Sequence, residues 1–118
     1  DLAQTIIVTA FGLNIPTKIT GLSTLKLKET DRLEALRNEL TNLGASCIID
    51  DESIEFFKSN KLNKNYIINT YDDHRMALAF APLSVIFPIE IQDPKVVSKS
   101  FPEFWNILEK LNFSIDFV

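Results

Sequence analysis

The chain has 118 residues, room for one domain and a modest core. Apolar residues make up 46% and charged residues 24%, which argues against disorder. A net charge of -4 and a pI of about 4.9 argue against nucleic acid and anionic membrane surfaces as partners, because both select a basic face.

Cys47 is the single cysteine, so neither an intrachain disulfide nor a cysteine-based zinc site can form. No apolar run reaches the roughly 18 residues of a membrane span. There is no basic, apolar leader at the N-terminus, and a cytoplasmic location is expected. The chain starts on Asp1, at what reads as a helix start, so a piece of a longer polypeptide is expected.

The elements follow in chain order. Asp1 reads as an N-cap, with Leu2, Ile6, Ile7 and Phe11 on a helix that Gly12 and Pro16 end. Thr17 to Thr20 is short and β-branched and reads as a strand. Leu22 to Leu27 reads as loop with some extended structure. Asp31 caps the clearest helix, with Glu34 as capping-box partner, Leu33, Leu36, Leu40 and Leu43 at helical spacing, and Gly44 at the exit.

Ser46 to Asp50 and Ser53 to Phe57 flank Asp51-Glu52 and predict a β-hairpin. Lys58 to Lys64 is a polar loop, and Tyr66 to Ile68 a short strand. Asp72 or Asp73 starts a third helix through Met76, Phe80 and Leu83, which Pro82 should kink or break. Ile89 to Gln92 predicts a strand. Ser100 should cap a last helix with Pro102 in its first turn and an inner stripe of Phe104, Leu108 and Leu111. Phe113 to Val118 alternates and predicts a closing strand. The order implies an α+β or α/β layer design, one sheet covered by helices.

Ionisable residues gather at the predicted helix starts. Of three arginines, Arg32 lies in Lys28-Glu29-Thr30-Asp31-Arg32 and Arg75 in Asp72-Asp73-His74-Arg75, which holds the only histidine. Lys99 precedes the last helix. A helix N-terminus favours anions, so cations placed there do not serve the helix; they are suited to hold a phosphate or carboxylate. The plainer reading makes Asp31 and Asp73 caps, His74 structural and Lys99 a surface lysine. Cys47, Met76 and Trp105 read as core.

Three strings carry a resemblance. Leu27-Lys28-Glu29-Thr30-Asp31-Arg32-Leu33 is similar to the K-E-[ST]-D-R segment of the 5-enolpyruvylshikimate-3-phosphate synthases. Tyr71-Asp72-Asp73-His74-Arg75-Met76-Ala77 is similar to their D-H-R-M-A segment. Asp93-Pro94 through Lys99-Ser100-Phe101-Pro102 is similar to their D-P-x-x-x-x-K-[ST]-[FY]-P segment. The three stand in the family's order. The sequence departs from the family in having Ser23-Thr24 where an asparagine is frequent.

The resemblance implies an enolpyruvyl transferase-like fold of repeated α/β units, with this chain forming about two repeats of helices packed on a mixed sheet. Residues 1–118 would be the C-terminal part of such an enzyme, a single partial domain. The remaining N-terminal part of the same polypeptide would complete the site. The implied reaction moves the enolpyruvyl group of phosphoenolpyruvate to the 5-hydroxyl of shikimate 3-phosphate, with release of phosphate and with no metal or organic cofactor. By residue, Asp1 and Glu29 would be catalytic. Arg32, Arg75 and Lys99 would bind phosphoenolpyruvate. Asp1 and Lys28 would bind shikimate 3-phosphate, and His74 would be a further site residue. Rival readings are a stand-alone anion-binding module of the same fold, the enolpyruvyl transferase acting on UDP-N-acetylglucosamine, and a cyclase of RNA ends with a related fold. The acidic pI speaks against the last.

Overall fold

A computed structural model of the chain describes residues 2–28 and 30–117. The first helix, α1, spans Ala3–Leu13. It buries Ile7, Val8 and Phe11, and its outer residues Ile6 and Leu13 are exposed, as is Leu2 at its N-cap position. The expected Asp1 cap lies outside the described residues. The helix does not end at Gly12. Asn14 closes it at φ 54, its N–H reaching the carbonyls of Ala10 and Phe11. Gly12 has another use: a Cβ there would come within 2.7 Å of Ile86 Cδ1 and 2.9 Å of Leu83 Cδ2, so it lets α1 close on that segment. Gln4 is buried, with its amide 3.5 Å from the Met76 sulfur.

Strand β1 is Thr17–Ile19. Ser23–Leu27 is a 3-10 turn rather than the expected loop with extended structure. Leu22 and Leu25, three apart and both buried, match the three-residue period of that turn.

Helix α2, Arg32–Leu43, forms as its sequence dictates. Asp31 Oδ1 accepts from the Glu34 N–H at 3.1 Å, and Leu33, Leu36, Leu40 and Leu43 are all at 2% exposure or less. The Glu34 carboxylate pairs with Arg37. Gly44 ends the helix at φ 116, and a Cβ on it would meet the Lys61 carbonyl oxygen at 2.5 Å.

The predicted hairpin is present as β2, Ala45–Ile49, and β3, Ile54–Ser59. Asp50 Oδ1 accepts from the Glu52 N–H at 2.9 Å and shapes its turn. The strand order is β1-β3-β2, all antiparallel, so β1 returns to pair with β3. Phe56, central in that sheet, meets Phe11 edge to face with ring centroids 5.9 Å apart.

The expected single sheet is corrected here. Ile67–Ile68, β4, and Glu90–Ile91, β5, form a separate parallel pair. Between them runs α3, His74–Phe80, followed by a 3-10 turn over Ala81–Val85. Pro82 stands at the start of that turn, where its missing N–H costs nothing, and the helix breaks as expected.

The C-terminal part differs most from expectation. Pro94–Lys99 is a 3-10 turn, and α4 is only Phe104–Lys110. Ser100 does not cap it; its N–H closes the preceding turn on the Val97 carbonyl at 3.1 Å, and Glu103 holds the cap position. Of the expected inner stripe, Phe104 and Leu108 are half-buried, while Leu111 is exposed. Residues 113–117 form no strand, because alternation without a neighbouring edge cannot make one. Val96 and Val97 pack with Ala77 in a small second cluster bordered by Trp105. No helix among the described residues is long and apolar enough to cross a membrane.

Candidate active site

The candidate site is organised by the turn that leads into α3. The Asp73 N–H bonds the Thr70 carbonyl at 2.9 Å, with Tyr71 at φ 56 and Asp72 at φ 53 between them. Positive φ at both central positions makes this a type I′ turn, usually built from glycine or asparagine. A left-handed residue with a side chain costs on the order of 1–3 kcal/mol, so surrounding contacts must hold it.

Those contacts come from α2. Tyr71 Oη donates to Glu39 Oε2 at 2.6 Å. Glu39 Oε1 accepts from Tyr66 Oη and from the Asn69 N–H, each at 2.8 Å. Burial pushes the Tyr71 phenol up to about 12, with the bond to Glu39 acting in the same direction. Tyr66 is raised by the same two causes in the same order. Thr70 Oγ1 adds a bond to the Gln92 carbonyl at 3.2 Å, tying the turn to the chain beyond β5.

Asp73, fully buried, leaves the turn with two tasks. One oxygen accepts the Arg75 N–H at 2.9 Å and caps α3. The same carboxylate receives Arg32 Nε at 2.8 Å and Nη2 at 3.1 Å. Arg32 is 3% exposed. A two-pronged guanidinium–carboxylate pair of this kind fixes both groups in direction as well as distance. It joins the starts of α2 and α3 across 41 positions of sequence.

Other basic side chains lie near this pair. His74 Nδ1 is 3.9 Å from Asp73 Oδ1. Lys99 Nζ is 3.7 Å from Asp72 Oδ1, and both side chains are largely exposed, so the contact is weak. Arg75 is half-buried and has no ion-pair partner among the described residues. The structure therefore brings the side chains of Arg32 and His74 beside Asp73 and that of Lys99 beside Asp72, while Arg75 joins them through its backbone N–H on Asp73.

It does not bring every expected residue there. Lys28 is exposed and joined to the cluster by no ion pair among the described residues. Asp1 and Glu29, the two expected catalytic carboxylates, lie outside the described residues. Lys99 closes the 3-10 turn before α4 rather than standing at that helix's start. Asp31 and Asp73 are caps, as the plainer reading held. Sequence reasoning missed Glu39, Tyr66 and Tyr71. The signal was available: Glu39 falls three residues after Leu36 and one before Leu40, on the apolar side of α2.

Arg75 carries a fork and Lys99 a point charge, groups suited to a small carboxylate or phosphate. The comparisons with known proteins identify the family. The family model described as EPSP synthase (3-phosphoshikimate 1-carboxyvinyltransferase) matches residues 1–108. A 3-phosphoshikimate 1-carboxyvinyltransferase of Bacteroides fragilis (strain YCH46) is 48% identical over 118 residues, covering 98% of this chain and 29% of that protein. The same-named protein of Pseudoalteromonas translucida is 39% identical over 113 residues, covering 95% of this chain and 26% of its own length. The solved EPSP synthase of Acinetobacter baumannii matches with a TM-score of 0.77 at 24% identity, over 92% of this chain and 26% of that one, which shows the fold. The chain thus spans less than a third of the length of these relatives. With its motifs, its α+β fold and its matched residues in agreement, the chain belongs to the EPSP synthase family.

Proposed function

We propose that residues 1–118 act as the C-terminal part, a single partial domain, of a longer cytoplasmic enzyme. That enzyme transfers the enolpyruvyl group of phosphoenolpyruvate to the 5-hydroxyl of shikimate 3-phosphate. The observation that supports the reading is that three separate motifs come together: Arg32 pairs with Asp73, Lys99 lies beside Asp72, and Arg75 follows in the same turn-to-helix segment with its N–H on Asp73.

The chemistry asks for this set of side chains. The 5-hydroxyl oxygen bonds to C2 of phosphoenolpyruvate, losing its proton to a base, while C3 gains a proton. The tetrahedral intermediate then loses phosphate from C2 and a proton from C3, which restores the double bond. Arg75 and Lys99, with Arg32 held by Asp73, bind the carboxylate and phosphate and balance charge as phosphate leaves. Asp1 is the base for the hydroxyl, and Glu29 moves the proton at C3. Lys28 joins Asp1 in binding shikimate 3-phosphate, and His74 is a further residue of the site. The rest of the polypeptide supplies the opposite wall. The exposed Leu2, Ile6, Leu13, Val85 and Ile86 are consistent with a chain that is normally covered.

The test is phosphate release by the complete polypeptide, with shikimate 3-phosphate or UDP-N-acetylglucosamine as acceptor and with this chain alone in parallel. Release with shikimate 3-phosphate only, and none from the isolated chain, is expected. Release with the nucleotide sugar would reassign the acceptor. No release with either acceptor would leave an anion-binding module.

A further inference from the structure

Glu39 has no part in the reaction as written, yet it is 1% exposed in the middle of α2. Its neighbours on that side of the helix are Leu36, Leu40 and Leu43, each at 2% or less. A leucine at position 39 would continue the stripe with no carboxylate to desolvate, so packing does not account for an acid here. Its partners do. Tyr66 immediately precedes β4, Asn69 and Tyr71 lie on the segment that leads from β4 to α3, and all three donate to this one carboxylate.

The segment needs an anchor because it ends in the left-handed pair Tyr71 and Asp72. With Tyr71 tied to Glu39 at 2.6 Å, the turn delivers Asp73 to Arg32 and to the Arg75 N–H. Without that tie, the turn is free to relax toward negative φ and to carry Asp73 and Arg75 with it.

We propose that Glu39 is a positioning residue: by anchoring Tyr71 and Asn69 it holds the turn and sets the direction of Arg75 and of the Arg32–Asp73 pair. The consequence for phosphoenolpyruvate rests on the function proposed above. The anchoring itself does not, and the test separates the two.

The variants Tyr71→Phe, Glu39→Ala and Glu39→Gln would be made in the complete polypeptide. Amide exchange at Asp73 and Arg75 and the KM for each substrate would be compared with wild type. Losing a hydrogen bond to a charged group should speed exchange at both amides about tenfold in Tyr71→Phe and Glu39→Ala. It should raise the KM for phosphoenolpyruvate by about the same factor, with kcat and the KM for shikimate 3-phosphate within about twofold. Glu39→Gln keeps an oxygen for Tyr66 and Asn69 and can offer its NH2 to the Tyr71 oxygen. It should therefore stay within about threefold of wild type. Should Glu39→Ala fail to fold, Tyr71→Phe decides. Wild-type exchange at Asp73 and Arg75 in Tyr71→Phe would overturn the anchoring. A rise in both KM values in step with lost thermal stability would overturn the positioning role. A wild-type polypeptide with no turnover of phosphoenolpyruvate would overturn the proposed function instead, and the exchange rates would still decide the anchoring.

Discussion

The starts of α2 and α3 look alike in sequence: an aspartate cap, then a basic residue within two positions. The fold uses them differently. At α2, Asp31 keeps to its own helix, while Arg32 turns inward and is buried. At α3, Asp73 is the buried member, and Arg75 is half-buried with no ion-pair partner among the described residues. One helix start supplies a cation to the interior and the other supplies the anion that receives it. The comparison teaches that a helix-start motif identifies a cap but not which side chain faces a ligand. That is decided by what lies opposite, here 41 residues away.

The sharpest way to break the comparison is at Asp73. Replacing it by alanine leaves the Arg32 guanidinium buried beside a gap and removes the α3 cap. Urea unfolding of the complete polypeptide should show a loss of about 3 kcal/mol. A loss near that of an ordinary cap would mean that the pair contributes little. Asp31→Ala at the other start removes one cap bond and strands no buried charge, so a loss of about 1 kcal/mol is expected from the same measurement. An equal loss at the two positions would erase the distinction between them. Arg75→Ala should change stability by less than about 0.5 kcal/mol, because no ion pair is broken. It should still weaken phosphoenolpyruvate binding, read by calorimetry, at least about tenfold if the proposed role is right.

The local devices were legible in the sequence. The Asp31 cap, the leucine spacing and Gly44 mark both ends of α2, and the break at Pro82 follows from its missing N–H. The hairpin reads from two β-rich runs around an acidic turn. The rest depends on partners far along the chain. The alternation of residues 113–117 predicts a strand but supplies no edge for it. The 3-10 turns at Ser23–Leu27 and Pro94–Lys99 lack a helical stripe to reveal them. The strings around Arg32, Arg75 and Lys99 marked out the candidate site, and folding added the contacts of Arg32 with Asp73 and of Lys99 with Asp72. Glu39 was legible in principle, as a carboxylate on an apolar stripe, but its use appears only when Tyr66 and Tyr71 arrive beside it.

Gly44 carries a consequence at the level of the gene. Its φ of 116 and the 2.5 Å between a Cβ placed there and the Lys61 carbonyl oxygen leave space for a hydrogen atom and nothing larger. Every change in the first two bases of a glycine codon would put a carbon there or end the chain. At this position only the third base can drift without forcing the exit of α2 to move, and only silent variation is free of structural cost.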